Sequence, residues 1–387
     1  MAESGRTFDV IIIGAGSVGV PTADFLSRAG LRVLVLDRRA SVGQGANKAA
    51  IGGIRATHSD PAKIRIGLRS IEIFSTWADT HGDDIEWHAG GYTFAAYRNR
   101  EEDILKGLLK VQRTYNLNIQ WLNRGDLLDA VTGINPDGLI GGTLSPEDGT
   151  ASPLRALHAF YRHAQQGGTV FRFNETVTQI PIIRGKVQGV LTDKGRFHAP
   201  IVINAAGAYA RSVSSLVGLD TPVTPESHEA GVTEPVARFV EPMIVDIRPT
   251  EGSANFYFYQ QHTGQIIFCI TPAPAILGTD RRETSEFLPM VSRRMVQIMP
   301  RLKNVKVRRT WRGQYPMTPD GAPIVGKVRE VEGFIQAVGM CGQGFMLGPG
   351  LATYLTKLVL DEIEHEDQEV FDVLSPYREF AGAEQLK

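Results

Sequence analysis

Asp9–Gly30 reads DVIIIGAGSVGVPTADFLSRAG, and Arg32–Asp37 follows as RVLVLD. The run Val10–Ile13 is apolar and β-branched, as suits a strand buried on both faces. Gly14, Gly16 and Gly19 come next in GxGxxG spacing. The stretch from Val18 to Ser27 has helical character and closes on Ala29-Gly30, a C-cap pair. A second apolar run, Val33–Leu36, ends at Asp37. The order is strand, tight turn, helix, strand, acid.

Each part has a physical task. Gly14 makes the turn, Gly16 lets the backbone approach a pyrophosphate, and Gly19 lets the helix pack close to the strand. The helix start at Ser17 and Val18 offers free N–H groups and a positive dipole end to phosphates. Asp37 lies 37 − 14 = 23 residues after Gly14, near the ~20 expected of an acid that binds ribose hydroxyls. GxGxxG alone is weak; within the whole βαβ pattern it is strong evidence for a bound dinucleotide. Arg38 and Arg39 would suit a 2′-phosphate, but the acid at Asp37 argues against one.

At 387 residues the chain is long for one simple domain and suggests two. A hydrophobic fraction of 42% with 21% charged residues is that of an ordinary globular protein. The net charge of −1 implies no nucleic-acid or anionic-membrane partner. Two cysteines, Cys269 and Cys341, have no metal-ligand spacing, so no metal site is expected and a reducing, cytoplasmic setting is. Val10–Ile13 is too short to span a membrane, and the acidic start does not resemble a signal peptide.

Beyond Asp37, small residues dominate from Val42 to Gly53, as in a loop built to lie against something flat and bulky. Arg55 ends this run; on residue type alone it is a solvated or structural arginine. Apolar spacing predicts a helix from Pro61 to His81 and another from Arg100 to Tyr115. Ser152 and Pro153 mark a helix start as N-cap and N1. Strands are expected at 170–173, 177–183 and 187–192. The run APIVINAAGAYAR ends in the small turn Ala205, Ala206, Gly207, which allows close approach to a ligand. In Asn255–Tyr259, alternation sends Tyr257 and Tyr259 to one strand face and Phe256 and Phe258 to the other. A hairpin is expected at 323–338. Gly339, Gly342 and Gly344 then lead into a long helix expected over about 348–364, a second glycine-rich helix start.

These motifs resemble the D-amino-acid-oxidase family of flavoproteins, within it the branch of the sarcosine oxidase β subunit and dye-linked L-proline dehydrogenase β subunit. The resemblance rests on DVIIIGAGSVG, GGIR (Gly52–Arg55), VINAAGAYA (Val202–Ala210), HEAGVTEPV (His228–Val236), MTPDGAPIVG (Met317–Gly326) and GMCGQGFMLGPG (Gly339–Gly350). It implies an α/β fold of mixed α+β character, with a Rossmann-like FAD domain interleaved with an antiparallel-sheet substrate domain. The FAD segments would be 1–84, 145–220 and 319–365, the substrate segments 85–144 and 221–318, and 366–387 a C-terminal tail.

The resemblance also implies roles. Asp37 and Arg38 would serve the adenosine end, with Val177 against the adenine. The loop carrying Gly45, Ala46, Gly52, Gly53 and Ile54 would pass the flavin ring, and Ala205, Ala206 and Gly207 would approach the pyrophosphate. The last helix would aim Gly342, Gln343, Gly344, Phe345 and Met346 at the pyrimidine edge of the flavin, where the positive helix end stabilises the negative charge of the reduced ring. Relatives with covalent flavin carry a cysteine where this chain has Gly313, so FAD is expected to be non-covalent. Relatives that oxidise sarcosine carry a lysine where Met346 stands, and sarcosine-type oxidases have an oxygen-activating lysine on the strand matching Gln265–Ile270, which has none. Arg55 would orient a substrate carboxylate, Tyr257 or Tyr259 would cap the substrate cavity, and His228 would lie near the flavin or in the core.

The expected activity is FAD-dependent oxidation of the C–N bond of an amino acid or secondary amine (sarcosine-, proline- or glycine-like) by hydride transfer to flavin N5. Partner subunits or a separate electron acceptor are implied. A 2-hydroxy-acid dehydrogenase and a non-catalytic FAD subunit are the alternatives; the first wants a general base that the sequence does not offer.

Overall fold

Val10–Ile13 is an inner strand of a six-stranded sheet in the computed structural model, which describes residues 7–382 and 384–386. The first six residues, counted above into the first FAD segment, and Ala383 and Lys387 of the tail lie outside the described residues. The sheet runs, edge to edge, Ile324–Lys327, Phe334–Val338, Ile201–Asn204, Val10–Ile13, Val33–Asp37 and Val170–Phe173. All neighbours are parallel except the hairpin Ile324–Lys327 with Phe334–Val338. Val10 and Ile12 face one apolar cluster, and Ile11 and Ile13 the opposite one. Each such side chain contributes about 1.5–3 kcal/mol by leaving water, which is why a strand this short holds the centre.

Helices Gly19–Arg28, Pro61–Ser75, Pro153–Gln166 and Gly344–Leu360 bury their apolar faces in the first cluster. On the other side, Val190 and Phe197 of a small three-stranded sheet pack against Ile11 and Ile13. Ser152 caps its helix by accepting from Arg155 N, with Pro153 in the first turn.

A second sheet has eight strands, in the order Val307–Met317, Thr224–Thr233, Ile266–Pro272, Ser253–Gln260, Met243–Asp246, Tyr92–Ala96, Gly141–Ser145 and Gln120–Asn123. Its pairs are antiparallel except Met243–Asp246 with Tyr92–Ala96. Phe256 and Phe258 enter one apolar cluster and Tyr257 and Tyr259 the other, as the alternation requires.

Three sequence expectations change. The helix expected at 61–81 is two, Pro61–Ser75 and Trp77–His81. Between them Thr76 leaves helical geometry (φ −94°, ψ 0°) and its hydroxyl donates to the Glu72 carbonyl at 2.7 Å. The strands expected at 177–183 and 187–192 are broken into Val177–Gln179, Ile182–Ile183, Lys186–Val187 and Val190–Thr192. The last long helix starts at Gly344 and ends at Leu360, with Pro349 inside it. A proline removes a ladder bond, and here the next N–H, of Gly350, is taken by the Ser70 hydroxyl at 2.9 Å. That crossing needs small residues: a Cβ on Gly350 would lie 2.2 Å from the Ile66 carbonyl oxygen, and one on Gly348 1.9 Å from that of Ser17. The helix is thereby seated directly on the first glycine turn.

Candidate active site

The glycine turn, the small-residue loop and the start of the last helix meet at one cleft with about 1580 Å³ of empty space, its open mouth included. At one end, Asp37 fixes the turn: its carboxylate accepts from Ala15 N and Arg39 N, both at 2.8 Å. A Cβ on Gly14 would sit 2.4 Å from the Ala205 carbonyl oxygen, so this turn closes only with glycine. A Cβ on Gly16 would meet nothing within 4 Å, which leaves its backbone open to a ligand.

Two helix N-termini face the cleft. Those of Gly19–Arg28 and Gly344–Leu360 have no side-chain cap. At the first, Val20 N–H donates to the Gly16 carbonyl and Pro21 has no N–H, which leaves those of Val18 and Gly19, and at the second those of Gly344, Phe345 and Met346, for anionic or carbonyl oxygen. Gln343, at the second, is buried, and its Oε1 has no partner among the described residues. An open glycine backbone, two uncapped N-termini and an orphaned amide oxygen along one cleft fit a dinucleotide with a polar ring at its far end. Gly313, on the cleft wall, carries no side chain to which a flavin could be attached, and a Cβ there would be crowded by the Ala49 Cβ at 2.9 Å.

The other end of the cleft is walled by Tyr92, Phe94, Met243, Val245, Tyr257 and Tyr315 from the eight-stranded sheet. Arg55 enters here, buried, with no carboxylate in ion-pair range among the described residues. Its strand segment is held by Asp148, which accepts from Ala56 N at 2.9 Å and Thr57 Oγ1 at 2.6 Å. Burial pushes the Asp148 carboxyl up to about 6. Tyr257 and Tyr315 share a hydrogen bond of 3.0 Å. Burial, with Cys269 beside both, holds the two hydroxyls well above the usual phenol range, so they are neutral. Arg55 is the only Lys, Arg or His on the cleft wall among the described residues, and Asp37 the only carboxylate.

Most residues singled out from sequence line this cleft: Gly14, Gly16, Ser17, Val18, Asp37, Gly45, Ala46, Gly52, Gly53, Arg55, Ala205, Ala206, Gly207, Tyr257, Gly313 and Gly342–Met346. Six do not. Gly19 packs against the Gly14 carbonyl oxygen, where a Cβ would be 2.0 Å away. Ile54 is buried in the core behind the loop. Arg38 lies over the Tyr209 ring at 3.6 Å, and Val177 is half-buried in the cluster beneath the small sheet. Tyr259 turns its hydroxyl to the Ile51 carbonyl at 2.6 Å, so it ties down the loop rather than capping the cavity. His228 is buried behind Tyr315, ring on ring at 3.7 Å. Neither of its nitrogens has a hydrogen bond among the described residues, and burial lowers its pKa, with Glu226 pulling weakly the other way. Tyr92, Met243 and Tyr315 were missed, since their facing depends on a strand order that adjacent sequence does not reveal.

Among the described residues, no group of side chains could hold a metal ion, and no helix is long and apolar enough to cross a membrane.

Comparison with known proteins gives consistent matches. The DAO family, described as FAD dependent oxidoreductase, matches residues 9–358. Hydrogen cyanide synthase subunit HcnC of Pseudomonas aeruginosa is 26% identical over 95% of both chains. Mitochondrial dimethylglycine dehydrogenase of Rattus norvegicus is 25% identical over 91% of this chain, which spans only 43% of that protein. Among solved structures, L-proline dehydrogenase from P. horikoshii superposes with a TM-score of 0.89 at 28% identity, covering 96% of this chain and 98% of that one.

Proposed function

Because the chain belongs to the DAO family of FAD-dependent oxidoreductases, we propose that it oxidises the C–N bond of a small amino acid or secondary amine bearing a carboxylate. FAD supplies the hydride acceptor when bound. The glycine turn and the N-terminus of Gly19–Arg28 would hold its pyrophosphate. The free N–H groups of the Gly344–Leu360 helix would face the flavin ring. Arg55 would fix the carboxylate by charge-assisted hydrogen bonds. The aromatic and aliphatic wall would exclude water and hold the substrate against the flavin.

One observation carries the choice of an amine: the substrate end of the cleft has no general base. No His, Glu or Lys lines it among the described residues, and its tyrosines are held protonated. An alcohol needs its hydroxyl proton removed as hydride leaves. An amine bound neutral does not, because its lone pair drives the step. His228 is not on the cleft wall; it lies stacked on Tyr315. The carboxylate follows from Arg55, a buried cation with no carboxylate in direct ion-pair contact among the described residues, Asp148 and Glu384 acting on it only from beyond that range. The names of the relatives, a dimethylglycine and an L-proline dehydrogenase, support the same class. HcnC is by name a subunit, which supports work with a partner chain.

A dye-reduction panel of sarcosine, L-proline, glycine and lactate tests this reading. Turnover with at least one amine carboxylate and none with lactate is expected; turnover with lactate alone would overturn it. The crowding at Gly313 gives a second expectation: acid should release all the flavin as free FAD, and flavin left on the denatured polypeptide would contradict it. A third concerns the tyrosine pair. Tyr257→Phe removes one shared hydrogen bond, worth about 0.5–1.5 kcal/mol. The variant should lose about tenfold or less in kcat/KM and keep its full FAD content; complete inactivation would assign Tyr257 a proton-transfer role instead.

A further inference from the structure

The chain's last described residues pack against Arg55 from behind the wall of the cleft. Arg55 Nη2 donates to the Leu386 carbonyl at 2.5 Å, across 331 positions of sequence. Its Nη1 donates to the Thr57 carbonyl and to His58 Nδ1, the latter at 3.1 Å. A guanidinium can only donate, so His58 accepts through Nδ1 and is neutral. Of the five N–H bonds of Arg55, three are engaged among the described residues, leaving Nε–H and one on Nη2 for a ligand. The ring of Phe94 lies 5.5 Å from the guanidinium carbon.

Leu386 is itself held. Its side chain is fully buried against Tyr92, Phe94, Leu105 and Leu108. Its N–H donates to Glu384 Oε1 at 3.1 Å, and that oxygen also accepts from Ser59 N at 3.0 Å and Ser59 Oγ at 2.6 Å. The second carboxylate oxygen pairs with Lys63 Nζ at 3.0 Å, with both side chains at most 1% exposed. Breaking a buried ion pair on one side leaves an unpaired buried charge, so a substrate would not displace this segment readily. The latch holds a fixed acceptor against Arg55.

We propose that Glu384 and Leu386 are positioning residues of the substrate site: Leu386 aims the Arg55 guanidinium through its carbonyl, and Glu384 locks Leu386 in place through Lys63 and Ser59. The proposal rests on the reading of Arg55 as the carboxylate-binding cation. Without the latch, Arg55 keeps its bonds to Thr57 and His58 but loses the one that fixes Nη2, so this end of the guanidinium would have to be ordered at each binding event. Immobilising one long side chain weakens binding by about 3- to 10-fold.

The test uses acetate as a carboxylate probe, titrated against the visible spectrum of the FAD-loaded protein. It adds KM and kcat for L-proline and for pyrrolidine, which lacks the carboxylate. Glu384→Ala and, as a milder variant that keeps the ion pair, Leu386→Gly are each expected to weaken acetate binding about 3- to 10-fold. KM for L-proline, where it is turned over, should rise in step, with kcat and the pyrrolidine parameters within about twofold. In the double variant Arg55→Met/Glu384→Ala the acetate affinity should equal that of Arg55→Met alone. Weakened acetate binding in Arg55→Met with none in Leu386→Gly would overturn the positioning role and leave Arg55 in place. Unchanged acetate binding in Arg55→Met would overturn the Arg55 reading itself. Equal losses for L-proline and pyrrolidine would overturn the proposal by showing general structural damage.

Discussion

Replacing Arg55 with methionine is expected to lower kcat/KM for amine carboxylates by about 30-fold to several thousand-fold while FAD content stays normal. The range corresponds to the about 2–5 kcal/mol lost when one partner of a buried charge pair is removed. Two features place this effect at the high end of any single change. Arg55 is the sole cationic side chain on the cleft wall among the described residues, so no neighbour can take over the carboxylate. The guanidinium is also pre-oriented by three hydrogen bonds, so little of its binding strength is lost to ordering. Methionine keeps the unbranched aliphatic stem of arginine and removes only the charged end. The effect should fall mainly on KM, and amines without a carboxylate should be spared. Steady-state kinetics on a matched pair, L-proline and pyrrolidine, checks this. Normal KM and kcat for L-proline would make Arg55 a structural residue.

The second large effect concerns the electron acceptor. Substrate-reduced protein is expected to reoxidise in air-saturated buffer about 100-fold more slowly than it passes electrons to an artificial dye. Reduced flavin reacts with oxygen through a superoxide-like state, and a fixed cation beside the ring stabilises that charge; one such preorganised interaction is worth about 10²–10³ in rate. The strand Ile266–Pro272, which follows the tyrosine strand, carries no lysine. The one wall cation among the described residues, Arg55, is engaged at the substrate end. Met346 stands at the start of the last helix, where a charged residue could have served. Stopped-flow reoxidation measures this. A rate with oxygen matching dye turnover would identify an oxidase.

The cofactor end was legible because its physics is local. Three glycines, an apolar strand and an acid within 29 residues, Asp9 to Asp37, carry their own geometry. Gly348 and Gly350 stand in the last glycine-rich motif, yet the sequence predicts a helix start about four residues later than the one observed. Pro349 marks a helix start more readily than a helix interior, and only the Ser70 hydroxyl, 280 positions before the Gly350 N–H it accepts from, shows how a proline is accommodated inside the helix. The substrate end was less legible, because it depends on partners from distant strands. Alternation placed Tyr257 and Tyr259 on one face correctly. It could not tell that one would reach the cleft and the other the Ile51 carbonyl. His228 lies on a strand two places from the tyrosine strand, and its screening by Tyr315 follows from the register of Thr224–Thr233 with Val307–Met317. The contact of Arg55 with Leu386 has no local signal at all.

The central claim is that hydride leaves a carbon next to a neutral nitrogen in a base-free, carboxylate-binding cleft. Anaerobic mixing of the FAD-loaded protein with the best amine carboxylate of the panel, unlabelled and deuterated at the carbon beside nitrogen, tests it most directly. The account predicts full bleaching of the flavin by the unlabelled amine, slower bleaching by the deuterated one, and a rate that rises with pH as the free amine loses its proton. Bleaching by lactate but by no amine would contradict it.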